Sequence, residues 1–311
     1  MIRTLKNRLV ALGPDHWAVR AALHLAGLRA GWRLKFSGEA IEMRRGDRVL
    51  ILPAREYVSV PMMFWYSRLY FETMIPSKRN GLEIWDYSKP EWQTYRRSGL
   101  QFFMPALPED DMMEAYVRFC RPTPGDIVWD VGAHSGVSSY FFSQLVGPSG
   151  KVYAFEPDAF NHQCLLRNLE RYRLTNVIPV QKALAAKTGT AEFQMLGTTA
   201  AGLRESLPYP DAKGDYRQVQ TQSLEDACRE YGLPRYIKMD IEGAEVSVIS
   251  ASLDFLRRTP LEFAIESHHL VNNQLTYGTL DALFPQAGYE SRSAIEKDLW
   301  YTWARPAGRI G

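Results

Sequence analysis

A chain of 311 residues, 46% hydrophobic and 23% charged, is long enough for one large domain with an accessory piece and too apolar to be disordered throughout. Apolar runs such as Ile127–Val131 fall far short of the roughly 20 residues that cross a bilayer. Three widely spaced cysteines (Cys120, Cys164, Cys228) without a CxxC pair argue against a disulfide scaffold or a structural zinc site. With no secretory leader pattern, a cytosolic chain is expected. The net charge of +2 hides an asymmetry. Met1–Lys35 carries seven basic residues against one acid, Asp15.

Leu5, Leu9 and Leu12, then Val19, Leu23, Leu25 and Leu28, recur at roughly helical spacing, so this opening reads as a basic amphipathic arm. It suits either a foot on the anionic inner face of a membrane or a helix packed on the body with a solvated basic face. Short strands are predicted at Trp32–Phe36, Ala40–Met43 and Val49–Leu52, with turns at Ser37-Gly38 and Arg45–Asp47. Between Tyr57 and Phe103, 47 residues hold 12 aromatics. These could fill an accessory cap or offer stacking faces to a sugar or lipid. The expected division is an arm over 1–35, an aromatic-rich accessory region over 36–121 and a main domain over 122–311.

From Gly125 onward strand and helix alternate. Strands are predicted at Ile127–Val131, Val152–Phe155, Val177–Val180, Tyr236–Met239 and Leu261–Ile265, with two more near Gly288–Ser293 and Leu299–Trp303. Helices are predicted at Val137–Val146, Ala159–Tyr172, Ala244–Leu256 and Thr279–Ala287. This is the pattern of an α/β fold with a parallel sheet covered on both faces, and such sheets bind ligands beyond the carboxyl ends of their strands.

Four strand tips carry the chemistry. The first, Asp130-Val131-Gly132-Ala133-His134-Ser135-Gly136, is a glycine turn opening a helix, but its spacing is not the dinucleotide GxGxxG. Asp130 would repel a pyrophosphate and suits a ligand with an ammonium group. The second, Phe155-Glu156-Pro157-Asp158, places a carboxylate where it can accept from both hydroxyls of a ribose. Pro157 redirects the chain, and Asp158 can cap the next helix. The third, Lys238-Met239-Asp240-Ile241-Glu242-Gly243-Ala244-Glu245, alternates charged and apolar residues, so an extended chain would put Lys238, Asp240 and Glu242 on one face. That face is either a site or an ion cluster holding the loop. The fourth, Glu266-Ser267-His268-His269, brings an acid and two histidines to the same rim.

Taken in order, these four motifs resemble the FkbM-type family of S-adenosylmethionine-dependent methyltransferases, over about Pro122–Ser293. The resemblance implies the Rossmann-like, seven-stranded class I methyltransferase fold with one antiparallel strand at the edge. It implies O-methylation, often of sugar hydroxyls in glycans, glycolipids or natural products. Members commonly carry Asn where this chain has His134. The cofactor would lie against Asp130, Gly132, Ala133, His134 and Gly136, with Glu156 and Pro157 at its ribose and Ala183 and Leu184 at its adenine.

Methyl transfer to a hydroxyl needs alignment and a proton acceptor. The catalytic candidates are Asp240, Glu242, His268 and Lys238, with Lys238 and Glu266 as orienting groups and Glu266 and His269 toward the acceptor. Asp240 and Glu266 could also hold Mg²⁺ against a sugar diol, although no metal is expected. The acceptor is expected to be a small molecule, glycan or glycolipid, with peripheral membrane contact through residues 1–35 as an option. The lack of a basic stripe beyond the arm argues against nucleic acid. Other readings are a methyltransferase of a soluble secondary metabolite and a non-catalytic subunit that retains cofactor. NAD-dependent redox chemistry is disfavoured by the glycine spacing.

Overall fold

The computed structural model describes residues 12–108, 113–195, 201–207, 215–272, 274–296 and 298–308. These described residues form two compact units, one of 12–108 with Asp215, the other of the rest. Boundaries at 35 and 121 are expected from the sequence, and the division between the two units falls near 111. The reason lies in packing. Helix Trp17–Arg29 shares a core with the strands after it, whereas the short helix Met113–Tyr116 buries its side chains in the larger unit.

In the smaller unit, helix Trp17–Arg29 starts at His16, whose ring accepts from the Ala18 N–H, and buries Val19, Leu23 and Gly27. Leu25 and Leu28 are exposed, and Leu5 and Leu9 lie outside the described residues. Three consecutive antiparallel strands, Arg33–Ser37, Ala40–Arg45 and Arg48–Pro53, match the predicted positions within two residues at each end. The last pairs in parallel with Leu82–Asp86 through a crossover that contains helix Val60–Thr73, and Ser77–Arg79 closes the five-stranded sheet. Of the aromatic block, Tyr57, Phe64, Phe71, Trp85, Tyr87, Tyr95 and Phe102 are buried, so core filling accounts for most of it. Trp65 stays 77% exposed.

The larger unit is built on seven strands: β1 (Ile127–Val131), β2 (Lys151–Phe155), β3 (Val177–Val180), β4 (Tyr236–Met239), β5 (Glu262–Glu266), β6 (Tyr289–Glu296) and β7 (Leu299–Pro306). Their spatial order is β3-β2-β1-β4-β5-β7-β6. β1 to β5 are mutually parallel, and β7 runs antiparallel to both neighbours. The antiparallel strand is thus one in from the edge and not at it. The tight β6–β7 connection, with Glu296 opposite Leu299, forces the reversal, and β7 inserts beside β5.

Alternate residues of the central strands enter two separate cores, which is why the strands read as continuous apolar runs. Trp129, Ile237, Met239, Phe263 and Ile265 pack on one face with Val248, Ile249, Leu280 and Phe284. Val128, Val152, Ala154, Tyr236 and Ala264 pack on the other with Phe142, Val146, Leu165 and Leu169. Helices α1 (Val137–Val146) and α2 (Ala159–Tyr172) coincide with their predicted spans. The predicted helix 244–256 breaks at Ser252, and the predicted helix 279–287 starts earlier, at Thr276, and finishes as a 3₁₀ turn. A three-stranded sheet of Ala183–Leu184, Tyr216–Gln222 and Gly189–Gln194 was not foreseen. Among the described residues no helix is long and apolar enough to cross a membrane.

Candidate active site

The tips of β1 and β2 are tied together by backbone. The N–H groups of Gly132 and Ala133 both donate to the Phe155 carbonyl, at 3.0 and 2.9 Å. Gly132 has φ +79, and a Cβ there would lie 1.8 Å from the Asp240 carbonyl oxygen, so only glycine lets the turn pass beneath the β4 tip. His134 also sits in the left-handed region, with φ +46. This is a position that Asn and His tolerate better than most residues. Gly136, at φ +87, opens α1 against Leu165.

Glu156 closes this half of the site. Its carboxylate accepts from the His134 N–H at 2.8 Å and from the Asp158 N–H at 2.9 Å. Asp158 in turn caps α2 by accepting from the Phe160 and Asn161 N–H groups. Burial, then the neighbouring Asp158 charge, push the Glu156 carboxyl up to about 7, against the pull of His134 and the two backbone donors. A carboxylate has about four acceptor positions and two are used, so the remaining acceptor positions fit the adjacent hydroxyls of a ribose. Pro157 is half-buried in the turn beside it. Ala183 and Leu184 are different. Both side chains are packed in apolar clusters, which leaves only their backbone to face an adenine ring.

Two of the candidate residues, Asp130 and Lys238, face each other inside the protein. Asp130 is 0% exposed, and its carboxylate is engaged inside the protein. One oxygen accepts from the Ser138 and Ser139 hydroxyls at 2.7 and 2.6 Å, and the other lies 3.2 Å from the Lys238 ammonium. In the protein itself, the cation facing Asp130 is Lys238. Lys238, 2% exposed, also donates to the Gly132 carbonyl at 2.6 Å. It braces the glycine turn. The cause is register: Lys238 is the direct parallel-strand partner of Asp130.

The acid–base half is built at the tips of β4 and β5. β4 ends at Met239, and Glu242 then turns left-handed at φ +56. The extended alternation that would put Lys238, Asp240 and Glu242 on one face therefore stops at the strand end. Asp240 and Glu242 instead face His269: Nε2 of the ring is 3.6 Å from Asp240 Oδ1 and 3.7 Å from Glu242 Oε2. Nδ1 of the same ring is 3.1 Å from Glu245 Oε1, which also accepts from the Ile241 and Gly243 N–H groups. Glu266 takes the Tyr116 hydroxyl at 2.9 Å on one oxygen and has His268 Nδ1 at 3.0 Å from the other.

Electrostatics separates Asp240 and Glu242 from Glu266. Burial, then the Glu266 charge, raise Asp240 well above the ordinary carboxylate range, although Lys238 and His269 oppose this. Burial raises Glu242 in the same way, against His269. Both side chains keep about a quarter of their surface, 28% and 25%, so solvent moderates the shift without changing its direction. Glu266 goes the other way: burial alone would raise it, but His268, His269 and the Tyr116 hydroxyl hold it low. His269 is raised well above its usual value because Glu245, Glu242 and Asp240 outweigh its burial.

The structure thus gathers Asp240, Glu242, Glu266, His268 and His269 into one cluster, with Gly132 against the Asp240 backbone. It adds Glu245, Tyr116, Ser138 and Ser139. Glu245 is visible in the sequence as the last acid of the third motif. Ser138 and Ser139 follow the glycine turn directly, but nothing local links Tyr116 to a residue 150 positions away.

Residues 130–291 match the methyltransferase FkbM domain family. A stretch of 93 residues is 31% identical to the protein-L-isoaspartate O-methyltransferase of Aeropyrum pernix, covering 30% of each chain. Among solved structures, the methyltransferase FkbM of Methylobacillus flagellatus aligns at 18% identity and a TM-score of 0.44 over 63% of this chain and 48% of that one. The fibrillarin of Aeropyrum pernix, solved with S-adenosyl-L-methionine bound, aligns at 12% identity and a TM-score of 0.39 over 87% and 97%. The chain therefore spans under a third of the curated relative and about half of the solved FkbM protein.

Proposed function

The chain belongs to the FkbM methyltransferase family, and on that premise we propose that it transfers a methyl group from S-adenosylmethionine to a hydroxyl, that of a sugar in a glycan or glycolipid. The observation that carries this reading is the pairing of Asp240 and Glu242, two partly exposed carboxylates of raised proton affinity, beside the Gly132 turn. A hydroxyl holds its proton tightly, so its methylation calls for an acceptor whose proton affinity lies near neutrality.

When bound, S-adenosylmethionine supplies the electrophilic methyl. Glu156 accepts the ribose hydroxyls, and the Gly132–Gly136 backbone, braced by Lys238, forms the floor for the rest of the cofactor. Asp240 or Glu242 takes the proton of the acceptor hydroxyl. His269 keeps the two carboxylates apart from Glu245 and compensates their charge, while Glu266, held by Tyr116 and His268, offers a low-affinity carboxylate that hydrogen-bonds a second hydroxyl of the acceptor. Several hydrogen-bonding acids on one rim suit a polyol better than an apolar substrate.

Thermal unfolding with S-adenosylhomocysteine tests the first half. At 100 times its dissociation constant the ligand adds about 2.7 kcal/mol, a visible shift that is expected in the wild type and lost in Glu156→Ala. Incubation with methyl-labelled cofactor and a panel of free sugars, lipid-linked saccharides and soluble hydroxylated metabolites tests the second. Label on a saccharide oxygen supports the reading. Label confined to the metabolites, or to nitrogen, overturns it.

A further inference from the structure

We propose that Asp240, Glu242 and His269 form a binding site for one divalent transition-metal cation, with Glu245 as the outer partner that aims the imidazole. The ligand atoms of the three residues all lie within 4.8 Å of one another. His269 is 92% buried, and its Nε2 points between the two carboxylates at 3.6 and 3.7 Å. Those separations are too long for hydrogen bonds. They are close to the ~3.4 Å edge expected between ligands that share one ion at about 2.1 Å in a tetrahedral arrangement.

The rest of the ring is already arranged for this task. Glu245 is fully buried, fixed by the Ile241 and Gly243 N–H groups, and lies 3.1 Å from His269 Nδ1. A carboxylate on Nδ1 keeps a proton there, so a cation that displaces the Nε2 proton meets a lone pair aimed between the carboxylates, which is the carboxylate–histidine–metal arrangement. Among the described residues, a second set, Glu266, His268 and His269, is also close enough. It is the weaker one because each Glu266 oxygen already has a partner, Tyr116 on one and His268 on the other.

One imidazole with two carboxylates favours Mn²⁺, Fe²⁺, Co²⁺ or Zn²⁺ over Mg²⁺ or Ca²⁺, which prefer all-oxygen shells. Three protein ligands leave at least one coordination position open to water or to an oxygen of the acceptor. The occupation of that position by an acceptor hydroxyl rests on the methyl-transfer reading, while the metal site itself does not.

The test is metal binding by the full chain after chelator treatment, using Mn²⁺ followed by electron paramagnetic resonance and Co²⁺ followed by its visible absorption. One equivalent of each is expected to bind. Asp240→Asn and His269→Gln should abolish that binding, and Glu245→Gln should weaken it by about 10- to 100-fold. Glu242→Gln, at the exposed rim, keeps the fold if the buried substitutions do not and should also weaken binding. No stoichiometric binding by the wild type, or unchanged binding in Glu242→Gln, overturns the proposal. S-adenosylhomocysteine binding, measured on the same metal-free protein, reads the methyltransferase function separately.

Discussion

Lys238 and Asp130 lie side by side on adjacent parallel strands, their charged atoms 3.2 Å apart at 2% and 0% side-chain exposure. The pair welds the β4 tip to the β1 tip, since the same ammonium holds the Gly132 carbonyl. Removing one partner of a buried ion pair costs about 3–5 kcal/mol, because the other charge is left uncompensated. Lys238→Met is therefore expected to lose that much in urea unfolding. The double variant Asp130→Asn, Lys238→Met should recover part of it, and a single-variant loss under about 1 kcal/mol would contradict a structural role.

Gly132 and Gly99 have similar left-handed φ values, +79 and +68, but different surroundings. A Cβ at Gly132 meets the Asp240 carbonyl at 1.8 Å, and nothing lies within 4 Å of one at Gly99. Gly99→Ala should cost only the backbone strain of about 1–2 kcal/mol. Gly132→Ala should exceed about 3 kcal/mol, since a backbone cannot move aside as a side chain does, and it should also abolish S-adenosylhomocysteine binding. Equal losses in the two variants would mean that the close approach at the β4 tip carries no energy.

Glu156 gives a stability–pH dependence with a definite sign. Its carboxyl is raised from the ordinary 4.5 to about 7 by burial and Asp158. Below about pH 4.5 both folded and unfolded chains hold the proton, and no penalty exists. Between 4.5 and 7 the unfolded chain loses it first, so stability falls as pH rises, and above 7 the penalty is constant at up to about 3 kcal/mol. Glu156→Gln should flatten that segment relative to the wild type in unfolding series from pH 5 to 8. Below about pH 4.5, where that penalty is absent, it should lower stability by about 1–3 kcal/mol, because the single amide oxygen cannot replace both carboxylate oxygens that accept from the His134 and Asp158 N–H groups.

Asp240→Asn and Glu242→Gln separate binding from turnover. A general base contributes about 10²- to 10⁴-fold to rate. The residue that takes the proton should lose that much in kcat while S-adenosylhomocysteine affinity stays within about threefold of wild type. If neither substitution lowers kcat, the proton acceptor lies elsewhere. Lys238→Met, in contrast, should impair cofactor binding, because its contacts are to the glycine turn.

Tyr116 donates to Glu266 at 2.9 Å and helps to hold that carboxyl low. Tyr116→Phe removes the donor, so the lower limb of the kcat/KM pH profile should move to higher pH. A profile that does not move, in a folded variant, would separate Glu266 from turnover.

The main sheet was legible because its information is local. Each of the strands β1 to β5 is a short apolar run that both faces bury, and each of the four motifs is a strand end followed by a turn, so residue type and spacing announce them. The same locality ties Glu156 to His134 and Asp158, which belong to its own or the preceding motif. The three-stranded sheet around Tyr216–Gln222 was missed because its pattern is mixed, with exposed Arg217 and Gln218 beside buried Val219 and Thr221.

What the chain alone determined is the identity of the chemically competent residues and the sheet edge they share. Which of them pair was decided only by tertiary structure. Reading along the sequence, Lys238 belongs with Asp240 and Glu242, two and four residues away. In the fold, strand order puts it beside Asp130, and the left-handed turn at Glu242 sends the two acids to His269. Charge pairing falls off with distance between side-chain ends, and on neighbouring parallel strands those distances are set by sheet order and register, which no local pattern encodes.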